Sequence, residues 1–162
     1  MELKEKKNGF TLIEVLLVVA IIGILAAIVI IAINPRKQLG DTNDAKRRAD
    51  VTTILNGVYQ YTIDNHGVIP STITSTSTEI CGTPAATSGQ CVLAGLIDLS
   101  VLTNSETYLT AIPTDPTAST STTTLSNGTV TGTGYRILTS SNRRITVSSM
   151  APQSTTTITA TR

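Results

Sequence analysis

Residues 10–33 read "FTLIEVLLVVAIIGILAAIVIIAI", 24 residues in which Glu14 is the only formal charge. As a helix rising about 1.5 Å per residue, the stretch spans roughly 36 Å, more than the ~30 Å hydrocarbon core of a bilayer, so membrane insertion is the leading physical reading. A short polar leader precedes it, carrying Lys4, Lys6 and Lys7 and ending in Asn8-Gly9. Positive charge held on the cytoplasmic side leaves everything after the helix outside. A secretory signal has a shorter apolar stretch, of about 7–15 residues, and a small-residue cleavage site after it. Here the small residue, Gly9, comes first. That order predicts a cut on the cytoplasmic side that keeps the apolar segment. Glu14 then needs a reason, because a bare carboxylate in hydrocarbon costs roughly 2.5–3.5 kcal/mol by insertion scales and must neutralise or find a partner.

The chain has 162 residues and is 40% hydrophobic, with much of that content gathered in this one segment. The rest is rich in Thr and Ser. Aromatic residues make up 3% and Trp is absent, so any folded part rests on a small aliphatic core for which a covalent staple is useful. Net charge is +1; removing residues 1–9 takes three lysines and two glutamates from the 12 basic and 11 acidic side chains and leaves the two signs balanced. Nothing here predicts direct nucleic-acid binding.

"KKNG" followed by "FTLIEVLLVVAIIGILAAI" resembles the class III signal and N-terminal helix of type IV prepilins and the related pseudopilins. The resemblance implies an α+β pilin fold, a long N-terminal α-helix packed on a small antiparallel β-sheet. It implies that a prepilin peptidase cuts between Gly9 and Phe10 and methylates the new amino group of Phe10. It makes Phe10, Thr11 and Glu14 the assembly residues: the family's assembly model pairs each glutamate with the N-terminus of a neighbouring subunit, which sets axial register in a helical homopolymer. The implied partners are further copies of the chain, the peptidase and the assembly machinery of the inner membrane. The precursor is expected in the cytoplasmic membrane with its C-terminal domain outside, and the assembled protein in a cell-surface pilus. The resulting expectation is a structural subunit of a type IV pilus. The alternatives are the major pseudopilin of a type II secretion system or, from a different class, a monomeric membrane-anchored binding module.

The chain divides into a cleaved leader (1–9), a hydrophobic helix (10–34), an amphipathic helix (35–66) and a region with the cysteines and the sheet (67–162). Pro35 removes one backbone donor and restricts Asn34, which predicts the helix break there. Beyond it, Ala45, Ala49, Val51, Leu55, Val58, Tyr59 and Thr62 recur at three- and four-residue spacings and define a face for the sheet. Asp44 precedes Arg48 by four residues and Lys46 precedes Asp50 likewise; two readings stay open, a solvated helix face or salt bridges between subunits. Asn65-His66-Gly67 and then Pro70 predict the helix end, with His66 a capping or exposed side chain rather than a ligand.

The resemblance places the rest outside the cytoplasm, which favours a disulfide between Cys81 and Cys91, worth about 2.5–3 kcal/mol for so short a loop. Zinc needs about four ligands and is disfavoured. "VLAGLIDLSVLT" (92–103) predicts a short helix turning Leu93, Leu96, Ile97 and Val101 inward. "YLTAIPTDP" (108–116) is similar to the segment before the sheet in major pseudopilins, some of which bind calcium nearby. The available carboxylates, Asp98, Glu106 and Asp115, are sparse and suit turn and capping roles better than a calcium cage, so calcium is a disfavoured alternative and no cofactor is expected. "GYRILTS" and "RRITVSS" read as a hairpin turning near Asn142, with a further strand near 124–131 and an edge strand or tail in "TTTITATR". The Thr/Ser runs 71–78 and 117–124 suit exposed loops. No nucleophile elbow or phosphate-binding loop occurs, so catalysis is not expected.

Overall fold

The computed structural model describes residues 9–82, 88–117, 120, 122–125, 128–154 and 157–162. Leader residues 1–8, most of the loop between the cysteines, parts of the 117–124 run and Thr155–Thr156 of the last segment lie outside them. The chain forms two compact units, residues 1–39 and 40–162.

In the first unit, α1 runs from Leu12 to Ile33 and is apolar all round, which is why it has no inward face. It stops at Asn34, whose left-handed backbone (φ 46°, ψ 78°) suits Asn better than almost any other side chain. Asn34 also opens the next helix: its carbonyl accepts the N–H of Lys37 at 3.1 Å. Pro35 is the first residue of that helix, α2 (Pro35–Asp64), where its fixed φ helps and its missing N–H is not needed. The break therefore sits on Asn34, and Pro35 starts the following helix.

From Gly40 onward α2 belongs to the second unit. Val51, Ile54, Leu55 and Val58 form its apolar stripe and pack with Ile80, Leu99, Leu102, Tyr135, Ile137 and Val147 in the main core. Ala45, Ala49 and Tyr59, expected on this face, are exposed. Gly57 is a point of close approach: a Cβ there would come within 2.9 Å of Leu109. One turn on, Tyr61 meets Tyr108 edge to face at 5.6 Å between ring centres.

The sheet contains β1 (Thr78–Cys81), β2 (Thr122–Leu125), β3 (Gly128–Thr139), β4 (Ile145–Ser149) and β5 (Thr159–Thr161). The order is β1-β3-β4-β5, antiparallel throughout, with β2 pairing the start of β3. The expected hairpin is β3–β4, and β5 forms the edge. The 124–131 expectation resolves into two strands, since β2 and the start of β3 pair with each other. Between Glu79 and Cys81 the β1–β3 register shifts, and β3 bulges through Thr133–Gly134–Tyr135. Gly134 adopts φ 81°, and its N–H donates to Glu79 Oε1 at 2.8 Å in place of a ladder acceptor. A Cβ on Gly132 would overlap the same carboxylate, so the Gly-x-Gly of β3 is what lets Glu79 lie buried across the strand.

The helix expected over 92–103 is instead two short helices, α3 (Ser88–Leu93) and α4 (Ser100–Thr103). The chain turns at Gly95, and Ile97 bridges in parallel to Ile80, with Cys81 N–H donating to the Ile97 carbonyl at 2.8 Å. That strand-like contact overrides the helical pattern. Leu93 and Val101 point to solvent; Leu96 and Ile97 are buried as expected, together with Leu99 and Leu102. Cys81 and Cys91 are joined, tying the end of β1 to α3 around a small cluster with Leu96 and Val130.

Candidate functional site: the N-terminal segment and a buried ionic cluster

The residues expected to act in processing and assembly lie together at the start of α1. Gly9 and Phe10 are exposed and non-helical, and Phe10 is 88% exposed. Thr11 is the N-cap in extended backbone, and its hydroxyl accepts the N–H of Glu14 at 3.3 Å. In return Glu14 Oε2 accepts from the backbone N–H and from the hydroxyl of Thr11, each at 3.1 Å. This reciprocal arrangement is a capping box. It places the carboxylate over the positive end of the helix, where negative charge is favoured. The sequence carries the signal as Thr-x-x-Glu ahead of an apolar run, and reading Glu14 only as a charge in hydrocarbon overlooks it. After Glu14, α1 has a mean hydropathy of 3.5 and no buried residue.

A second constellation lies inside the domain. Arg47, fully buried, donates through Nε to Asp115 Oδ2 at 2.6 Å and through Nη2 to Asp115 Oδ1 at 2.9 Å, a two-pronged ion pair. Nη1 donates to Asp44 Oδ1 at 2.8 Å, and Nη2 reaches the Thr117 hydroxyl at 2.7 Å. Asp44 in turn accepts the backbone N–H groups of Gln153 at 2.9 Å and Ser154 at 2.6 Å. Asp115 N–H donates to the Thr133 carbonyl in the β3 bulge at 2.8 Å, so the cluster joins α2, the 113–117 loop, the sheet and the 153–154 segment.

Charge balance in the cluster follows from these contacts. Burial works against the ionised form of Asp115, but hydrogen bonds from Arg47 and Thr117 outweigh it and hold the carboxyl below its ordinary range. The hydrogen bond to Asp115 pushes Arg47 up against the opposing effect of burial, with Asp44 adding to it. Beside them, the Tyr135 hydroxyl donates to Asp50 Oδ2 at 2.7 Å, and burial together with that bond pushes the phenol well above its ordinary value.

This corrects the reading of "DAKRRADVT". Asp44 pairs with Arg47 at i+3 rather than with Arg48, and Asp50 is bound by Tyr135. Asp44 and Arg47 face neither solvent nor another subunit. The three candidate calcium carboxylates are dispersed: Asp98 accepts the N–H of Ser100 at 2.8 Å at the start of α4, Asp115 sits in the ionic cluster, and Glu106 is exposed in a 3-10 turn. Among the described residues no three metal-ligating side chains come together. His66 is exposed with φ 55° at the end of α2.

Comparison with known proteins gives one family match, the prokaryotic N-terminal methylation motif, over residues 4–32. The chain is similar to type II secretion system core protein G of Escherichia coli K12, 35% identical over 66 residues, 41% of this chain and 44% of that protein. It is similar to the same core protein of Vibrio cholerae serotype O1, 38% identical over 72 residues, 44% of this chain and 47% of that protein. The Aeromonas hydrophila protein is 35% identical over 63 residues, 39% of this chain and 43% of that protein. The chain thus spans less than half the length of the relatives it matches. No solved structure gives a significant match.

Proposed function

We propose that this protein is a filament-forming subunit of the pseudopilin kind, within the superfamily of type IV pilins and pseudopilins to which its N-terminal motif and its relatives point. One observation carries the choice. The similarity to core protein G runs over 63–72 residues, well beyond the 4–32 methylation motif that pilins and pseudopilins share. A type IV pilus subunit, the first expectation from sequence, becomes the second reading. It is favoured by the disulfide-tied, Thr-rich domain and by the engagement of Asp115 with Arg47.

The mechanism is polymerisation. The Gly9–Phe10 bond lies in exposed, non-helical backbone just before the N-cap, where a membrane peptidase can reach it. Cleavage creates an amino group on Phe10, and methylation keeps it cationic. Glu14, already held over the helix end by Thr11, presents its carboxylate at the level of that new charge. Before assembly, α1 keeps its apolar surface in the bilayer; in the filament, copies of α1 cover one another and each Glu14 meets the terminus of a neighbour, so neither charge is left bare in an apolar core.

Mass analysis of the mature chain tests the processing step: a methylated Phe10 terminus supports it, and an intact Met1 terminus removes the whole reading. Shearing cells and asking where the chain goes separates the two filaments. Retention in the envelope, with exported proteins trapped inside a deletion strain, is the pseudopilin result. Abundant recovery in sheared surface fibres moves the protein to the pilus.

A further inference from the structure

Within its domain α2 is held in two chemically different ways. From Val51 to Val58 it is docked by the apolar stripe that enters the main core. From Gly40 to Asp50 the buried positions are Gly40, Asp44 and Arg47, and no apolar side chain of this stretch enters the core. Its ties are polar: Arg47 to Asp115 and Thr117, Asp44 to the N–H groups of Gln153 and Ser154, Asn43 Nδ2 to Gln153 Oε1 at 2.9 Å, and, at the end of the stretch, the Tyr135 hydroxyl to Asp50 Oδ2 at 2.7 Å. Gly40 adds only the close approach that lets Ser154 sit against the helix.

We propose that residues 40–50 form a latch, a stretch of α2 docked by polar contacts that opens and closes as a unit while the domain from Val51 onward stays folded. The energetics favour separate behaviour. Buried ion pairs return little net free energy, because desolvation offsets most of their attraction, whereas apolar burial is a steady gain. Segments with few buried apolar contacts are the ones that open locally without global unfolding. Once off its docking surface the stretch only extends the helix of residues 51–64, and without tertiary cover its N-terminal turns fray. Two segments act as keepers, the loop with Asp115 and Thr117 and the segment with Gln153 and Ser154, and both are released together because both hold the Asp44–Arg47 pair; Asp50, held by Tyr135, is the hinge where the latch meets the packed helix. Opening adds residues 40–50 to the chain that precedes the packed domain. The latch rests on the geometry of the domain and is independent of which filament the protein builds.

Hydrogen–deuterium exchange on the full chain in detergent micelles tests it. In the unaltered protein the amides of residues 42–50 should exchange at least about tenfold faster than those of Ile54–Val58. In Arg47→Met the amides of residues 42–50, Gln153 and Ser154 should exchange as those of an opened segment, still at least about tenfold faster than Ile54–Val58 and Ile137, whose own rates rise only with the fall in global stability. Exchange of 42–50 in step with 54–58, in the unaltered protein or in the variant, overturns the proposal. If Arg47→Met fails to fold, that too marks a single cooperative unit.

Discussion

α1 is apolar at nearly every position and buries none of them, whereas α2 is polar at most positions and buries an aspartate and an arginine completely. The contrast separates two questions that hydropathy tends to merge. Apolar surface shows what must leave water, and for α1 the cover proposed above is a bilayer or other copies of the chain. Burial shows what has found a partner, and in α2 the charges have found theirs within the same domain. On the proposed function the molecule keeps its strongest hydrophobic surface for assembly, and it uses charge to attach part of its folded helix.

Substitutions can break this contrast from either side. The largest effect is expected from Glu14→Leu, which makes α1 uniformly apolar: assembly into sheared or envelope filaments should fall below detection while the thermal midpoint of the domain stays unchanged. Normal filaments from this variant would show that the charge is dispensable. On the α2 side, Arg47→Met leaves two buried carboxylates without their cation and should cost about 3–5 kcal/mol, roughly 10–20 °C in thermal midpoint. Replacing Asp115 by Leu in the same chain should recover much of the loss, because the apolar swap removes a stranded charge. Cys81→Ser with Cys91→Ser should cost about 2.5–3 kcal/mol by the chain-entropy model, read by denaturant titration, with no effect on assembly of α1.

The smallest effect concerns acid. Asp115 has a folded value held below its ordinary 3.8, so its contribution to stability is fully present above that value. It is lost as pH falls through the lower, folded value. Thermal midpoints taken between pH 5 and pH 2 should fall at the acid end, and Asp115→Asn should flatten that limb. An unchanged acid limb in the variant would assign it to other carboxylates.

Much of the fold was legible because its signals are local. The apolar run, the Gly9 before it, the stop at Asn34-Pro35, the β3–β4 hairpin and the edge strand each announce themselves within a few residues. The ionic cluster did not, because its defining partner is far along the chain. Asp44 and Arg47 look like any solvated helix face until Asp115 is folded onto them, and Asp115 looks like a turn residue, which through Thr117 it also is. The interruption at Ile97 was hidden for a related reason: its pairing with Ile80 is non-local and overrides a plausible helical spacing. The capping box is the one site feature that local reading could have found, since Thr-x-x-Glu stands in plain sequence.

Glu79 and Gly132 bear on how this domain can drift. Any side chain at 132 would collide with a carboxylate that Gly134 holds in place, so position 132 is closed while Glu79 remains. A shorter residue at 79 reopens it but deprives the Gly134 N–H of its acceptor, so the first step is unfavourable alone. The two sites are tied in order as well as in identity: change at 79 must precede change at 132, and variants taken in the reverse order should be absent from any library selected for a folded domain.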